Sequence, residues 1–217
     1  MSHYTAYIAA ACLSLTITAT PALASDAPKK ELTVYTYDSF VSDWGMGPLI
    51  KPTFEEQCGC TLNLVGMSDA VAMLQRLKLE GTSTKADLLL GLDLNLVDDA
   101  KKSGLFANHS VDTNGLEMPI DWQDDTFVPF DYGYFAFVYN TKLMPNPPKS
   151  LDELVNAGPE LKIIIQDPRS STPGLGLLLW MKSVYGDQAD AAWAKLSDNI
   201  LTTTKGWSEA YFSLFLA

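Results

Sequence analysis

The sequence is poor in the side chains that most metal sites and many nucleophile sites need. It has two histidines and three cysteines in 217 residues, and His3 and Cys12 both fall in the first 24. Zinc sites usually need four such ligands, so we expect no zinc centre. No Gly-Lys-Ser/Thr sequence accompanies the Gly-rich turn near residue 174, which excludes a Walker-type phosphate loop.

The first 24 residues contain no Asp, Glu, Lys or Arg. An apolar run from Ala6 to Ala19 leads to Pro21-Ala22-Leu23-Ala24, the small-x-small form that signal peptidase cleaves. The run is too short and too rich in hydroxyl residues to span a bilayer, and no later segment is long and apolar enough. We therefore predict a signal peptide over residues 1–24, cleavage after Ala24 and export of a soluble protein.

The mature part of the chain is acidic. The formal net charge is −11, and all of it lies after residue 24. An acidic surface disfavours nucleic acids and anionic membranes and mildly favours cationic partners. We expect no nucleic-acid partner.

Two cysteines remain after the signal peptide, in the sequence Cys58-Gly59-Cys60. An oxidising compartment permits a disulfide between them, although bridges of this spacing are strained. A structural role is favoured, and a nucleophilic cysteine remains the alternative.

Strand and helix patterns alternate along most of the chain. Short β-rich runs predict strands at 31–36, 61–65, 86–92 (fully buried), 162–166 and 200–204. Periodic or capped segments predict helices at 48–57, 69–79, 94–102, after Ser150, at 174–185, at 189–196 and after Trp207. This alternation is typical of βαβ units with parallel sheets, in which ligands bind at the carboxyl ends of the strands. The loops at 37–47, 66–69 and 92–94 are therefore candidate binding loops.

Several caps follow from local sequence. Asp69 is a plausible N-cap, and Ser150 with Glu153 forms a capping-box pattern. Thr172 before Pro173 predicts an N-cap with proline at the first helical position. That start would leave the N–H groups of Gly174 and Leu175 free to bind an anion. Arg169 is expected to pair locally with Asp167.

The segment Phe127–Tyr139 has a long aromatic strand pattern, bent by Pro129 and Gly133. We predict a kinked strand that crosses between two lobes, with Asp131 stabilising the hinge. The predicted organisation is a first α/β lobe at 25–127, a hinge crossover strand at 128–140 and a second α/β lobe at 141–217.

Six stretches together resemble one family: VYTYDSF (34–40), DWG (43–45), KADLLLGLD (85–93), DTFVPFDYGYFAFVY (125–139), QDPRSSTPGLGLLLWM (166–181) and KGWSEAY (205–211). They are similar to the periplasmic thiamine-binding proteins that feed thiamine ABC importers. The resemblance extends from about Glu31 to Tyr211.

The resemblance implies a two-lobed, type II periplasmic binding protein with an α/β fold. It implies capture of thiamine, thiamine monophosphate and thiamine diphosphate in the periplasm and delivery to a membrane permease, by a monomer without a cofactor. Family members are longer, and the C-terminal FSLFLA departs from their pattern. We therefore expect a fragment or a frameshifted product with an incomplete second lobe.

The resemblance also implies ligand contacts. Tyr37, Trp44 and Trp207 could sandwich the flat rings of thiamine, with cation–π contacts of about 0.5–2 kcal/mol each. Asp69 and Ala70 match a binding position that could face the aminopyrimidine or the cation. Ser171 and Thr172 match contacts to phosphate or a hydroxyl. Asp38 and Asp93 are weaker candidates.

Other functions remain open for a chain of this fold. A thiaminase-like enzyme would need a cysteine nucleophile and a base, and no paired base is evident near Cys58 or Cys60. A ferric-ion receptor would need adjacent tyrosines, and the sequence contains no Tyr-Tyr pair. A polyamine receptor would need several carboxylates in its cleft, which the composition permits.

Overall fold

The structure, a computed structural model, describes residues 30–217. The predicted signal peptide and its cleavage site lie outside the described residues. Within the described part, no helix is both long enough and apolar enough to cross a membrane. The described residues form two separate parallel sheets with helices packed against them.

The first sheet contains β1 (Lys30–Tyr37), β2 (Cys60–Met67) and β3 (Leu88–Leu89) in the order β2-β1-β3, all parallel. β1 and β2 pair from Lys30 opposite Cys60 to Tyr37 opposite Met67 without a shift in register. Their carboxyl ends are therefore level, so the loops that follow them lie side by side.

Four helices belong to this first half: α1 (Asp38–Val41), α2 (Met46–Cys58), α3 (Ala70–Glu80) and α4 (Val97–Lys102). α2 ends at Cys58, one residue beyond the predicted 48–57, and the following Gly59 has the left-handed backbone conformation (φ 60°) of a helix C-terminus. α3 packs an apolar face on the sheet, with Met73 and Leu74 fully buried beside Tyr35 and Leu96. This burial fixes the position of the amino end of α3 relative to the end of β2.

The second sheet pairs β4 (Ile163–Gln166) with β5 (Ile200–Thr204) in parallel. Its helices are α5 (Leu151–Val155), α6 (Thr172–Tyr185) and α7 (Ala189–Leu196). Leu177 and Met181 of α6 pack with Leu154 and Leu196 in a second core cluster. The parallel pairing predicted from the alternating pattern is confirmed in both sheets.

The structure contains the predicted helix cap at Ser150 and a disulfide between Cys58 and Cys60. The Ser150 side chain accepts a hydrogen bond from the N–H of Glu153, as the capping pattern predicts. The Glu153 carboxylate accepts from the N–H of Lys149, one residue before the cap. Cys58 and Cys60 form a disulfide, which supports the structural interpretation of that pair.

The predictions for residues 86–102 were partly wrong. The strand expected over 86–92 contains only Leu88 and Leu89, and Leu88 is exposed rather than fully buried. The helix expected from residue 94 begins at Val97, because Asp93 forms a turn that receives hydrogen bonds from Asn95 and Leu96. Apolar residues alone did not reveal that β3 lies at the edge of its sheet.

The aromatic strand expected over 127–139 was also wrong. These residues form no strand, and those from Val128 onward have exposed side chains or only partial burial. A strand requires a hydrogen-bonded neighbour, and the described residues supply none at this place. The last predicted helix is a π-helix over Glu209–Phe215.

Candidate functional site

The carboxyl ends of the two sheets face each other. The N–H of Ala72, in the first turn of α3, donates a 3.4 Å hydrogen bond to the carbonyl oxygen of Ser170, just before α6. The turn after β5 approaches the loop after β2 so closely that a Cβ on Gly206 would lie 2.9 Å from the carbonyl oxygen of Ser68. These contacts bring the predicted binding positions of both halves together in one region, which we call the cleft.

Asp69 and Ser171 join the amino ends of α3 and α6. Asp69 caps α3, and its Oδ1 accepts from the N–H of Ala70 at 2.8 Å. The Ser171 hydroxyl lies 3.1 Å from Asp69 Oδ2 and 2.6 Å from Gln166 Oε1. Because a hydroxyl has one proton, it donates to one of these acceptors at a time. Asp69 Oδ1 is therefore engaged by Ala70, and Oδ2 is engaged when Ser171 donates to it rather than to Gln166.

Asp69 is a desolvated carboxylate. Burial raises its pKa above the ordinary value, and the hydrogen bonds from Ala70 and Ser171 oppose that rise. The Thr172 hydroxyl lies near the same carboxylate but has no hydrogen-bond partner of good geometry, although the oxygen itself is buried. A buried hydroxyl without a partner is costly in a folded protein, so Thr172 Oγ1 is a polar group that a ligand could satisfy.

The predicted cap of α6 was wrong by one residue. Ser171, not Thr172, is the N-cap, and Pro173 follows as the second helical residue. The N–H of Gly174 donates to the Ser171 hydroxyl (3.4 Å) and that of Leu175 to the Ser171 carbonyl (2.9 Å). The two N–H groups predicted to be free for an anion are therefore used by the helix itself.

Four aromatic rings from both halves meet in the cleft. Trp44, in the loop between α1 and α2, lies 6.4 Å from Trp207 and 5.3 Å from Phe212, measured between ring centroids. Trp207 stacks on Tyr211 at 4.9 Å with an interplanar angle of 14°. Phe212 also contacts Trp207 edge to face. We refer to Trp44, Trp207, Tyr211 and Phe212 as the cleft aromatic cluster.

The position of Trp207 is set by the turn that follows β5. The Thr204 hydroxyl donates to the carbonyl oxygen of Gly206 at 3.0 Å, and the Ser170 hydroxyl donates to that of Lys205 at 2.7 Å. A larger residue at Gly206 would collide with the loop at Ser68. The tight turn therefore directs Trp207 toward Trp44.

Tyr37 lies at the carboxyl end of β1, on the same side as Asp69. Burial raises the pKa of its hydroxyl, and the negative charges of Asp131 and Asp69 raise it further. Its ring covers Gly91, where a Cβ would lie 2.4 Å from the ring and where φ is +110°, a conformation that favours glycine.

The remaining candidates occupy different surroundings. Ala70 is fully buried, and its methyl group belongs to the first core cluster. Asp93 Oδ2 is buried without a hydrogen-bond partner, while Asp38 lies beside β2, where its Oδ1 would be 3.0 Å from a Cβ on Gly66. Arg169 forms the predicted ion pair with Asp167 (2.6 Å) and holds the pKa of that carboxyl at about 2.

Three residues of this site were not found from the sequence. Gln166 and Phe212 contact predicted residues only because the chain folds back on itself. Tyr211 had a usable signal, because residues four apart on a helix lie on one face and Trp207 precedes it by four. The stacked pair follows that rule.

Comparison with known proteins agrees with this architecture. Residues 83–210, more than half of the chain, match the family described as bacterial extracellular solute-binding protein. A periplasmic thiamin binding protein of known structure superposes with a TM-score of 0.83 at 57% identity, covering 87% of this chain and 59% of the other.

Two curated relatives are both named thiamine-binding periplasmic protein. The chain is 59% identical over 183 residues to the thiamine-binding periplasmic protein of Brucella abortus, covering 84% of this chain and 55% of the relative. It is 58% identical over 188 residues to the protein of that name from Escherichia coli K12, covering 87% and 57%.

The chain thus spans little more than half the length of these relatives. The resemblance predicted from the sequence motifs is confirmed, and so is the shared α/β fold. The chain belongs to the family of bacterial extracellular solute-binding proteins.

Proposed function

We propose that this chain forms part of a periplasmic receptor that captures thiamine and its phosphate esters for an ABC importer. The observation that carries the proposal is the convergence of Trp44, Trp207, Asp69 and Ser171 at the facing ends of the two sheets. It occurs in a chain that is 58–59% identical to proteins named for thiamine binding.

The cleft chemistry suits a flat organic cation. Thiamine combines an aminopyrimidine ring with a cationic thiazolium ring, and indole faces attract such cations by about 0.5–2 kcal/mol each. The carboxylate of Asp69, at the amino end of α3, adds negative charge on the same side of the first sheet. The acidic net charge of −11 further favours a cationic solute.

The phosphate esters need donors other than the ones first expected. The N–H groups of Gly174 and Leu175 are engaged within α6. The Thr172 hydroxyl is a buried donor at this helix start that lies near Asp69 without a hydrogen-bond partner of good geometry. We assign the hydroxyl or phosphate end of the ligand to Thr172, reached when the two halves of the cleft separate.

Several observations favour binding without catalysis. Cys58 and Cys60 form a disulfide, so the oxidised protein offers no thiolate there. Cys60 begins β2, whereas the cleft lies after Met67 at the other end of that strand. The strand rises by seven residue steps from Cys60 to Met67, about 23 Å at roughly 3.3 Å per step.

Isothermal titration calorimetry tests the proposal. Thiamine, its monophosphate, its diphosphate, spermidine and ferric citrate are titrated into the chain, with Trp207→Leu as the test variant. Trp180→Leu is the matched control, because Trp180 is a partly exposed tryptophan on α6 outside the cleft aromatic cluster. We expect thiamine to bind and Trp207→Leu to weaken binding roughly 2- to 30-fold, the loss of one cation–π contact.

Trp180→Leu should bind thiamine like the parent chain. Binding of spermidine or ferric citrate with no heat from any thiamine form would overturn the proposal. Equal losses in both tryptophan variants would remove the cleft aromatic cluster from the site. Thr172→Val should lose more affinity for the monophosphate than for thiamine, each compared with the parent chain. That result would support the assignment of Thr172.

A further inference from the structure

Ser170 and Ser171 are adjacent, but their hydroxyls contact different parts of the cleft. Ser171 belongs to the helix start described above. The Ser170 hydroxyl lies 2.7 Å from the carbonyl oxygen of Lys205, which is 35 positions away in the chain, and 3.5 Å from that of Asp167. Because a hydroxyl has one proton, the much shorter distance assigns its hydrogen bond to Lys205. Ser170 is thus bonded to the turn that carries Trp207.

The main chain of Ser170 contacts the first half of the molecule. Its carbonyl oxygen accepts the 3.4 Å hydrogen bond from the N–H of Ala72. Ala72 is the third residue of α3, and the first N–H groups of a helix have no partner within it. An N-cap side chain commonly serves the second or third of these groups, but the Asp69 carboxylate accepts from Ala70, the first. Ser170 therefore supplies the acceptor for an N–H that the Asp69 carboxylate does not serve.

The turn after β5 is held by three side-chain hydrogen bonds. The Thr204 hydroxyl donates to the carbonyl oxygen of Gly206, and the Glu209 carboxylate accepts from the N–H of Lys205. These two bonds are local, so they shape the turn without fixing its place in the molecule. Among the described residues, the side-chain bond that reaches this turn from a distant part of the chain is that of Ser170.

Trp207 follows this turn directly, so its ring moves with it. The turn lies against the first half, because a Cβ on Gly206 would be 2.9 Å from the carbonyl oxygen of Ser68. The ring of Trp207 is 6.4 Å from that of Trp44. Aromatic pairs interact up to about 7 Å between centroids, so a shift of the turn by about 1 Å is enough to separate these two rings.

We propose that Ser170 is the positioning residue that joins Trp207 to the first half of the molecule. Its hydroxyl holds the turn that carries Trp207, and its carbonyl oxygen holds the start of α3. Trp207 then faces Trp44 at a fixed separation. The inference rests on the proposed function, since it concerns the affinity of the same cleft for a flat cation. Ser170 acts on the ligand through Trp207 and does not need to touch it.

Calorimetry with thiamine compares Ser170→Ala with Ser197→Ala, the matched control. The Ser197 hydroxyl also donates to a backbone carbonyl at 2.7 Å, but its acceptor is Ala194 of α7, which contributes no residue to the cleft aromatic cluster. We expect Ser170→Ala to weaken thiamine binding by about 2- to 12-fold, the equilibrium equivalent of one hydrogen bond. Ser197→Ala should bind like the parent chain. Ser170→Thr keeps the hydroxyl and should restore the parental affinity.

Urea unfolding of the same variants separates positioning from stability. Ser170→Ala and Ser197→Ala each remove one hydroxyl-to-carbonyl hydrogen bond, so their unfolding midpoints should be similar. A purely structural role of Ser170 would instead appear in the midpoint and leave the affinity of the folded protein unchanged.

Near-ultraviolet circular dichroism of the ligand-free protein gives a readout that does not require thiamine. Signals in this region come from aromatic rings held in fixed packing, and the difference between the parent chain and Trp207→Leu isolates the band of Trp207. Ser170→Ala should lose part of this band, whereas Ser170→Thr and Ser197→Ala should keep it.

Gly206→Ala displaces the same turn from the other side, because its new Cβ would meet the carbonyl oxygen of Ser68. It should lower the affinity for thiamine and change the Trp207 band in the same way as Ser170→Ala. Parental affinity together with an unchanged band in Gly206→Ala would show that the place of the turn does not matter, which overturns the proposal.

Three further results overturn it. They are parental affinity in Ser170→Ala, equal losses of affinity in Ser170→Ala and Ser197→Ala, and a lower affinity of Ser170→Ala with an unchanged Trp207 band. If the parent chain binds no thiamine, the proposed function fails, but the Trp207 band still decides the role of Ser170. A changed band in Ser170→Ala then supports that role, and an unchanged band excludes it.

Discussion

Two helices begin at the same place in the cleft, and their caps differ in charge. Asp69 caps α3 with a carboxylate, whereas Ser171 caps α6 with a hydroxyl that contacts that carboxylate. Asp69 has lost much of its hydration, as the rise in its pKa indicates. Ser171 is fully buried but has a second acceptor, Gln166. The neutral cap therefore has a second acceptor for its proton, whereas Oδ2 of the charged cap receives its hydrogen bond from the neutral one.

The largest test of this asymmetry compares Ser171→Ala with Asp69→Ala. Ser171→Ala removes a helix cap and also a donor to a buried carboxylate, so we expect a loss of about 2–3 kcal/mol in the free energy of unfolding. Asp69→Ala removes a cap and a desolvated charge together, and Ser171 can still donate to Gln166. We expect a loss of about 0.5–1.5 kcal/mol.

Urea denaturation at neutral pH measures both values. Ser150→Ala is the matched control, because Ser150 caps α5 through the same bond to a backbone N–H but contacts no carboxylate through its hydroxyl. It should cost about 1 kcal/mol. An Asp69→Ala loss as large as that of Ser171→Ala would show that the caps are equivalent.

The second test uses pH. Because the folded pKa of Asp69 is raised above 3.8, the protonated carboxyl favours the folded state. This contribution is complete below about 3.8 and is lost as the pH rises through the folded pKa. Asp69→Asn keeps the shape of the cap but cannot ionise. We expect its stability relative to the parent chain to increase across this pH interval.

Denaturation midpoints of the two proteins, measured from acid to neutral pH, give the result. Asp69→Asn should follow the parent chain at the acid end, where both side chains are neutral, and diverge only above it. A constant difference at every pH would mean that the ionisation of Asp69 does not affect folding.

The caps also show what the sequence could predict. Asp69 was identified because it directly precedes a periodic apolar segment, and α3 begins there. At Ser171-Thr172-Pro173 two adjacent residues have the same capping chemistry. The choice depends on a hydrogen bond to Asp69, 102 positions earlier. Local patterns cannot contain such a contact.

The same reasoning separates the predicted strands that form from the predicted strand that does not. β1 and β2 pair along eight residues, so alternation and pairing agree. The segment 127–139 has an equally clear pattern but no neighbouring strand among the described residues. Pattern indicates the capacity of a segment to form a strand, whereas pairing depends on what lies beside it. The contact between Trp44 and Phe212 also depends on what the fold places beside each residue, so the local sequence does not predict it.

The smallest expected effect concerns a third carboxylate, Asp167, four residues before Ser171. Unlike Asp69 it is solvated, and Arg169 lowers its pKa to about 2. Its contribution to stability is therefore present above 3.8 and is lost as the pH falls toward 2, the opposite direction to Asp69. In Arg169→Gln the backbone N–H of residue 169 still donates to Asp167 Oδ1, a 2.9 Å bond in the parent chain. The pKa should thus rise only part of the way toward its ordinary value.

An NMR titration of the Asp167 carboxyl in Arg169→Gln measures that rise. The unfolding midpoint at neutral pH should not change measurably, because exposed ion pairs contribute little to stability. A clear loss of stability at neutral pH would show that the Arg169 side chain supports the start of α6. In that case the cap at Ser171 would depend on charge after all, and the contrast between the two helix starts would be smaller than the burial of Asp69 suggests.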